Sequence, residues 1–291
     1  MLRATVILCC LGVVLATPPF VRSREEIQAF RSFLEDTQKA KPDGIRVISP
    51  LANAEENSGK FEGDIVLEDY MIEEMVQEYA MGRNAHLRPR MKWPNNTVVW
   101  EYVEGEFDPL QQAAIEEGMA DIERHTCVKF RYREPHETAY VRLTGAPDGC
   151  YAHVGYVGPR FANIYNLAPH NPGVGCFLHG TIVHEWMHIL GFRHMHVTYN
   201  RDDYIRVDFE NVQSGAENSF NIHSSDVVSN LGVEYDYVSC MHYHAFAFSA
   251  NGRPTMVALQ EHEGVMGQRR YITEKDWLRI NRHYDCPGAW D

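Results

Sequence analysis

Helix patterns and strand patterns share this chain, which predicts a fold of mixed class, and three observations carry that expectation. Residues 97–103 (TVVWEYV) alternate as a half-buried strand does, and 128–132 and 139–143 have the same strand-like composition. Asp108-Pro109 reads as an N-cap followed by proline at the first helical position, opening a helix that runs to about His125. A third stretch, Thr181 to Leu190, contains no glycine or proline and sets Ile182, Trp186, Ile189 and Leu190 at roughly helical spacing. With 291 residues, 44% of them apolar, the chain has room for one large or two modest domains around a real core.

The N-terminal part is of a different kind. Residues 1–16 (MLRATVILCCLGVVLA) carry one early arginine, an apolar run and a small residue at the end, the pattern of a signal peptide cut after Ala16. No other apolar run reaches about 18 residues, so no membrane anchor is expected and the mature protein is expected to be secreted and extracellular. The formal net charge is −13, from 27 basic and 40 acidic residues, and no basic cluster is interleaved with aromatics; this excludes a nucleic-acid partner. Ser23 to Lys39 is charged and helix-compatible, and 41–60 is loop-rich with Pro42, Gly44, Pro50 and Gly59. Neither is expected to form a compact core. Phe61-Glu62-Gly63-Asp64-Ile65 is, by composition, a glycine turn bearing an acid. Glu68 to Met81 reads as an acidic amphipathic helix, and it leads to Gly82-Arg83-Asn84, where the bond after Arg83 suits a trypsin-like protease.

Asn95-Asn96-Thr97 is the only N-x-S/T sequon, which makes Asn95 the candidate glycosylation site. The helix from Asp108 should turn Ala114, Ile115, Met119 and Ile122 inward. Cys150 to Leu167 should supply the remaining strands, Asn171 to Gly175 a turn, and Ser214 to Tyr237 irregular structure. Thr273, with Asp276 three residues on, opens a last helix whose apolar residues are Trp277, Ile280 and Tyr284. Of seven cysteines, two leave with the signal peptide. Four of the remaining five (Cys127, Cys150, Cys176, Cys240, Cys286) should pair in an oxidising compartment; three connectivities are open and spacing does not choose among them.

The chemistry concentrates in Thr181 to Tyr199, TIVHEWMHILGFRHMHVTY. On a helix His184 and His188 share one face, so both imidazoles can close on one metal, with Glu185 one step round and within reach of a water there. Gly191 ends the helix by taking a positive φ, and the chain turns back to offer His194. Histidines that merely fill a core would not fall in register with a base and a turn glycine. Three neutral imidazoles leave a tetrahedral zinc with an open fourth position, which is a catalytic rather than a structural arrangement.

Downstream stands Ser239-Cys240-Met241-His242-Tyr243. HExxHxxGxxH followed by such a Met-turn is the metzincin signature, and the SxMHY form, with a tyrosine two residues past the methionine, resembles the astacin family. The resemblance covers 84–291, and it implies an α+β fold. This is the metzincin, zincin-like catalytic domain of two subdomains, a twisted, mostly antiparallel sheet plus helices above a zinc cleft with one strand at the cleft edge. It implies one zinc ion per chain, held by His184, His188 and His194, with Glu185 as general base. Met241 would be an apolar floor beneath the metal, and Tyr243 a fifth ligand that swings away to stabilise the oxyanion. FEGD at 61–64 resembles the FxGD motif of astacin propeptides, which makes Asp64 the zinc-blocking residue of a zymogen. A cysteine switch is unavailable, since no cysteine lies between Cys10 and Cys127.

Further expectations come with the family. They are a signal peptide over 1–16, a propeptide over 17–83, and a catalytic domain over 84–291 that begins at Asn84, about ten residues before Trp93. The disulfides implied are Cys127–Cys286 and Cys150–Cys176, with Cys240 a small buried side chain. Asn200 to Tyr204 resembles the DRDxY segment, a salt-bridged turn, and Phe246 to Leu259 would help shape the pocket for the residue after the scissile bond. One departure stands out: the family usually has a glutamate after the third histidine to receive the mature N-terminal ammonium, and here that residue is Met195. His196 is not expected to be a ligand. The function implied is a secreted zinc endopeptidase, a monomer, acting on protein or peptide substrates after cleavage by a trypsin-like activating protease. A zinc-bearing binding protein without hydrolysis is the rival, and the intact Glu185 and Tyr243 argue against it.

Overall fold

The computed structural model describes residues 22–37, 54–80, 92–159, 161–223, 225 and 228–291. The expected signal peptide, the Arg83 cleavage site and the N-terminus at Asn84 lie outside the described residues. Among those described, no helix is long and apolar enough to cross a membrane.

The larger core is built on one five-stranded sheet. β1 (Thr97–Tyr102), β2 (Lys129–Tyr132), β3 (Val141–Thr144), β4 (Cys150–Ala152) and β5 (Asn163–Leu167) lie in the order β2-β1-β3-β5-β4. The expectation of a mostly antiparallel sheet needs correcting. β1 runs parallel to β2 and to β3, and β3 parallel to β5; only the edge strand β4 is antiparallel. The reason lies in the connections: helix α3 (Pro109–His125) carries the chain back between β1 and β2, and a strand that follows such a crossover pairs parallel with the one before it. The short turns that produce antiparallel pairs are absent from these connections.

Asp108 caps α3 as its sequence requires, accepting from the Leu110 and Gln111 amides while Gln111 closes the capping box. Ile115, Met119 and Ile122 turn inward and meet α4 (His179–Ile189), which is buried on all sides from Gly180 to Ile189. Gly118 lets the two helices approach: a Cβ there would stand 2.6 Å from Ile182 Cγ2. α5 (Glu274–His283) closes the chain behind them, capped by Thr273 and Asp276. A smaller apolar cluster surrounds the two-stranded pair of β6 (Ile205–Val207) and β7 (Met256–Ala258), forming the less regular C-terminal part.

The N-terminal segment is more compact than its composition predicts. α1 (Arg24–Asp36) and α2 (Asp69–Ala80) pack together through Phe30, Leu34, Met71, Ile72, Met75 and Val76, and Phe61, Ile65 and Leu67 complete a second core against Val154 and Val157. The apolar positions recur at helical spacing between charged ones, so the charge count concealed a continuous apolar stripe. This segment pairs alongside β4, parallel to it: the Ala152 amide donates to the Asp64 carbonyl at 2.9 Å, and the Val66 amide donates to the Ala152 carbonyl at 2.9 Å.

Candidate metal centre

α4 presents His184 and His188 on one face and stops where Gly191, at φ 106°, turns the chain toward His194. All three rings are buried. His184 Nδ1 donates to the Cys240 carbonyl at 2.7 Å and His188 Nδ1 to the Phe192 carbonyl at 2.8 Å, which fixes each ring's tautomer and turns the Nε2 lone pair into the site. His194 Nδ1 lies 3.1 Å from Glu62 Oε2, so its outer partner is a carboxylate of the N-terminal segment.

Asp64 enters the same space. Its Oδ2 is 3.0 Å from His184 Nε2 and 3.2 Å from His194 Nε2, and its Oδ1 is 3.4 Å from His188 Nε2. The four donor atoms lie within 4.8 Å of one another. Rings that already give their Nδ1 protons to carbonyls point only lone pairs at this carboxylate, and lone pairs facing an anion need a cation between them. His188 Nε2 and Asp64 Oδ1 have no hydrogen-bond partner among the described residues. Nitrogen and oxygen donors in this number fit zinc.

Glu185 stands beside this group, fully buried, with neither carboxylate oxygen hydrogen-bonded among the described residues. Burial raises its carboxyl well above the usual carboxylate range, and the Asp64 and Glu55 carboxylates push the same way. Met241 is buried in the larger core, and its carbonyl accepts from the Met195 amide at 2.8 Å, so the Met-turn is pinned to the third histidine's neighbour. Tyr243 is buried with its ring 4.4 Å from that of His194 and 3.8 Å from that of His196; its hydroxyl donates to the Glu62 carbonyl. His196 bonds the Ser219 carbonyl at 3.0 Å and is not one of the four clustered donors.

The other expected positions fall as follows. Cys127 is bonded to Cys286 and Cys150 to Cys176, and Cys240 is a buried free thiol 3.4 Å from the Met187 sulfur. Asn95 is exposed, in a left-handed turn at φ 53° that asparagine adopts readily. Met195 is buried with its sulfur 3.9 Å from the Arg279 guanidinium. Arg201, in the Asn200 to Tyr204 turn, pairs with Asp202 at 2.5 Å and donates to the carbonyls of His196 and Phe220.

Residue-type reasoning missed a layer of buried charge between the N-terminal segment and the rest. Glu55 pairs with Arg269 at 2.5 Å; Glu56 accepts from the His244 amide at 2.7 Å; Glu62 meets Arg193 and His223. The only signals were an acid flanking the FxGD aspartate and an arginine at a variable position of the zinc motif. Neither has meaning until the two segments are seen together.

Known proteins resemble this chain over the same region. A family model described as Astacin, a peptidase family, matches residues 85–285. Zinc metalloproteinase nas-4 of Caenorhabditis elegans is 36% identical over 229 residues, 78% of this chain and 70% of that protein. Seminal metalloprotease 1 of Drosophila melanogaster is 36% identical over 208 residues, 70% of this chain and 82% of the other. Among solved structures, high choriolytic enzyme 1, a hatching-enzyme zinc protease from Oryzias latipes, is 32% identical and superposes with a TM-score of 0.58, covering 68% of this chain and 94% of that one. With its α+β fold and its convergent histidines, this chain belongs to the astacin family and is a zinc metalloendopeptidase.

Proposed function

We propose that the protein is secreted as a zymogen, with a signal peptide over 1–16, a propeptide over 17–83 and the catalytic domain over 84–291, and that it hydrolyses peptide bonds in proteins as a monomer once a trypsin-like protease has cut near Arg83. The observation that carries this reading is the place of Asp64, a carboxylate of the N-terminal segment lying against Nε2 of all three histidines. A propeptide aspartate there occupies the position the reacting water needs.

His184, His188 and His194 would hold the metal. Zinc, when bound, supplies Lewis acidity that brings the pKa of water toward 7 and polarises the scissile carbonyl. Glu185 takes the proton from the attacking water and passes it to the leaving amine, which requires the carboxylate to be ionised and aimed at the cleft. Its buried oxygens, unbonded among the described residues, suit that task, and departure of Asp64 and Glu55 removes the two carboxylates that add to burial in raising its pKa. Tyr243, released from the Glu62 carbonyl, turns its hydroxyl to the developing oxyanion. Met241 packs as the floor of the centre. Two disulfides and an exposed Asn95 sequon accord with an extracellular protein.

The test is casein hydrolysis by the full chain before and after limited trypsin treatment, with N-terminal sequencing of the product and size-exclusion chromatography. Activity should appear with a new terminus near Asn84, vanish with a zinc chelator, and fall about 10²-fold to 10⁴-fold in Glu185→Gln with folding intact. A cleaved wild type that binds zinc and hydrolyses nothing overturns the reading.

A further inference from the structure

The carboxylate that holds the Met-turn in place comes from the last helix. Asp276 is fully buried in the first turn of α5, and donors converge on both its oxygens. Oδ1 accepts from the Ser239 hydroxyl at 2.6 Å and from Arg279 Nη1 at 3.4 Å; Oδ2 accepts from the Cys240 amide at 3.0 Å and from the Thr273 amide at 3.4 Å. An ionised carboxylate only accepts, so it serves all of these at once, whereas an amide of the same shape turns a donor toward one pair of them. The Ser239 hydroxyl, fixed in this way, takes the Met241 amide at 3.0 Å. Ser239 and Cys240 are themselves fully buried, so a bond lost here leaves an unpaired polar group.

The turn fixed by Asp276 is joined to two of the three histidines through consecutive carbonyls. The Cys240 carbonyl accepts from His184 Nδ1 at 2.7 Å, and the Met241 carbonyl accepts at 2.8 Å from the amide of Met195, next in the chain to His194. Arg279 lies behind the same place: its guanidinium is 3.9 Å from the Met195 sulfur and donates to the Glu234 carbonyl at 2.6 Å. A guanidinium and a carboxylate this deeply buried each need the other, because either alone would be an uncompensated charge. Asp276 also closes the capping box of α5. Its two shortest bonds nevertheless go to the turn, and the bond to the Thr273 amide is longer than both, so the carboxylate grips the turn more closely than it grips the cap.

We propose that Asp276, with Arg279 as its counter-charge, is a positioning residue of the metal centre: it holds the Cys240 carbonyl where that carbonyl aims His184 Nε2 at the zinc. Asp276 acts through Cys240, 36 positions before it, and touches none of the converging donor atoms itself. This rests on the reading of His184 as a zinc ligand and does not depend on the removal of residues 17–83. Loosening the turn lets the first ring swing off its axis, which weakens the hold on the metal and changes the geometry of the ligands around it.

The test is made on the full chain, by zinc competition with a chromophoric chelator and by the visible absorption of the cobalt-substituted protein, which reports ligand geometry. Asp276→Asn keeps the shape and removes the charge; it should weaken zinc by about 10-fold, the lower end of the range for a ligand's outer partner, and should shift the cobalt bands. Ser239→Ala, which leaves the cap intact, should move both readouts the same way by a smaller factor. Thr273→Ala, which removes the cap hydroxyl and keeps both bonds to the turn, should lower the thermal midpoint by about 2 to 4 °C and leave zinc affinity and the cobalt bands at wild-type values. If Asp276→Asn does not fold, Ser239→Ala against Thr273→Ala decides. His184→Ala tests the reading beneath: if it holds zinc as the wild type does, His184 is no ligand and the proposal falls with it. If His184→Ala loses zinc while Asp276→Asn and Ser239→Ala keep wild-type affinity and bands, the ligand stands and the proposal alone is overturned, leaving Asp276 as a helix cap. Equal loss in Thr273→Ala overturns it too, since general loosening then accounts for every effect.

Discussion

The carboxylate of Glu62 stands 3.1 Å from Nδ1 of His194, on the edge of the ring opposite the one that faces Asp64. His184 and His188 are oriented by carbonyls of their own domain, Cys240 and Phe192, whereas the third ring takes its outer partner from the N-terminal segment. Outer partners of this kind hold ligand orientation and basicity, and their loss typically costs 10-fold to 100-fold in metal affinity. Glu62→Ala in the full chain should therefore weaken zinc retention by about that factor, with Glu62→Gln intermediate. Competition with a chromophoric chelator before any cleavage reads it; an unchanged affinity would show that His194 needs no outer partner.

Removing the neighbouring carboxylate should have the opposite effect on activity. Asp64→Ala in the full chain, untreated with trypsin, should hydrolyse casein at about 10-fold or more above the untreated wild type, since the loss of one buried charge-assisted contact is worth about that factor. A silent Asp64→Ala full chain would place any inhibition in the rest of the segment, in the Glu55–Arg269 pair and the packing of α1 and α2.

His242 gives a pH prediction away from the histidine cluster. Its Nδ1 donates to the Tyr243 carbonyl and its Nε2 accepts from the Tyr235 hydroxyl, both at 2.8 Å, and burial pushes its pKa down to about 4 from 6.5. A histidine with a depressed folded pKa takes up protons more readily when unfolded. Its contribution to stability is whole above about pH 6.5 and is lost as pH falls toward 4, at most about 3 kcal/mol. Denaturant midpoints at pH 7.5 and 4.5 should diverge in the wild type and converge in His242→Gln; equal divergence in both would assign the acid sensitivity elsewhere.

Gly180 supports the other side of the centre. Its amide donates to the Arg269 carbonyl at 3.1 Å, and a Cβ there would meet the Arg269 carbonyl carbon and oxygen at 2.5 Å. Backbone cannot rotate away as a side chain does, so Gly180→Ala should cost about 1 to 3 kcal/mol by overpacking. Urea unfolding measures it, and an unshifted midpoint would mean the Arg269 loop yields without strain.

Local chemistry carried most of what could be read in advance. The caps at Asp108 and Thr273, the stop at Gly191 and the three histidines each depend on residues a few positions apart, and all stand where their spacing puts them. Sheet direction did not follow in the same way, because strand alternation is the same in parallel and antiparallel pairs and only the connections decide. Nor did the pairing of Glu55 with Arg269 or of Glu62 with His223, residues 214 and 161 positions apart, since nothing in either neighbourhood marks its partner. The compact N-terminal unit was hidden for a related reason: Phe30 and Leu34 are ordinary surface-helix residues until α2 lies against them.

β4 ends its sheet, with β5 on one side and on the other the N-terminal segment: Asp64 and Val66 bond both polar groups of the Ala152 backbone, and the Ser58 hydroxyl bonds both of Cys150. An edge of this sort is a template for main chain, indifferent to which side chains that chain carries. A polypeptide that takes the place of residues 64–66 must arrive extended, with its own amides and carbonyls unspent. The rate at which a folded target is cut should then follow how often it opens a few residues of its own structure, and loosened or denatured proteins should be cut faster than their folded forms.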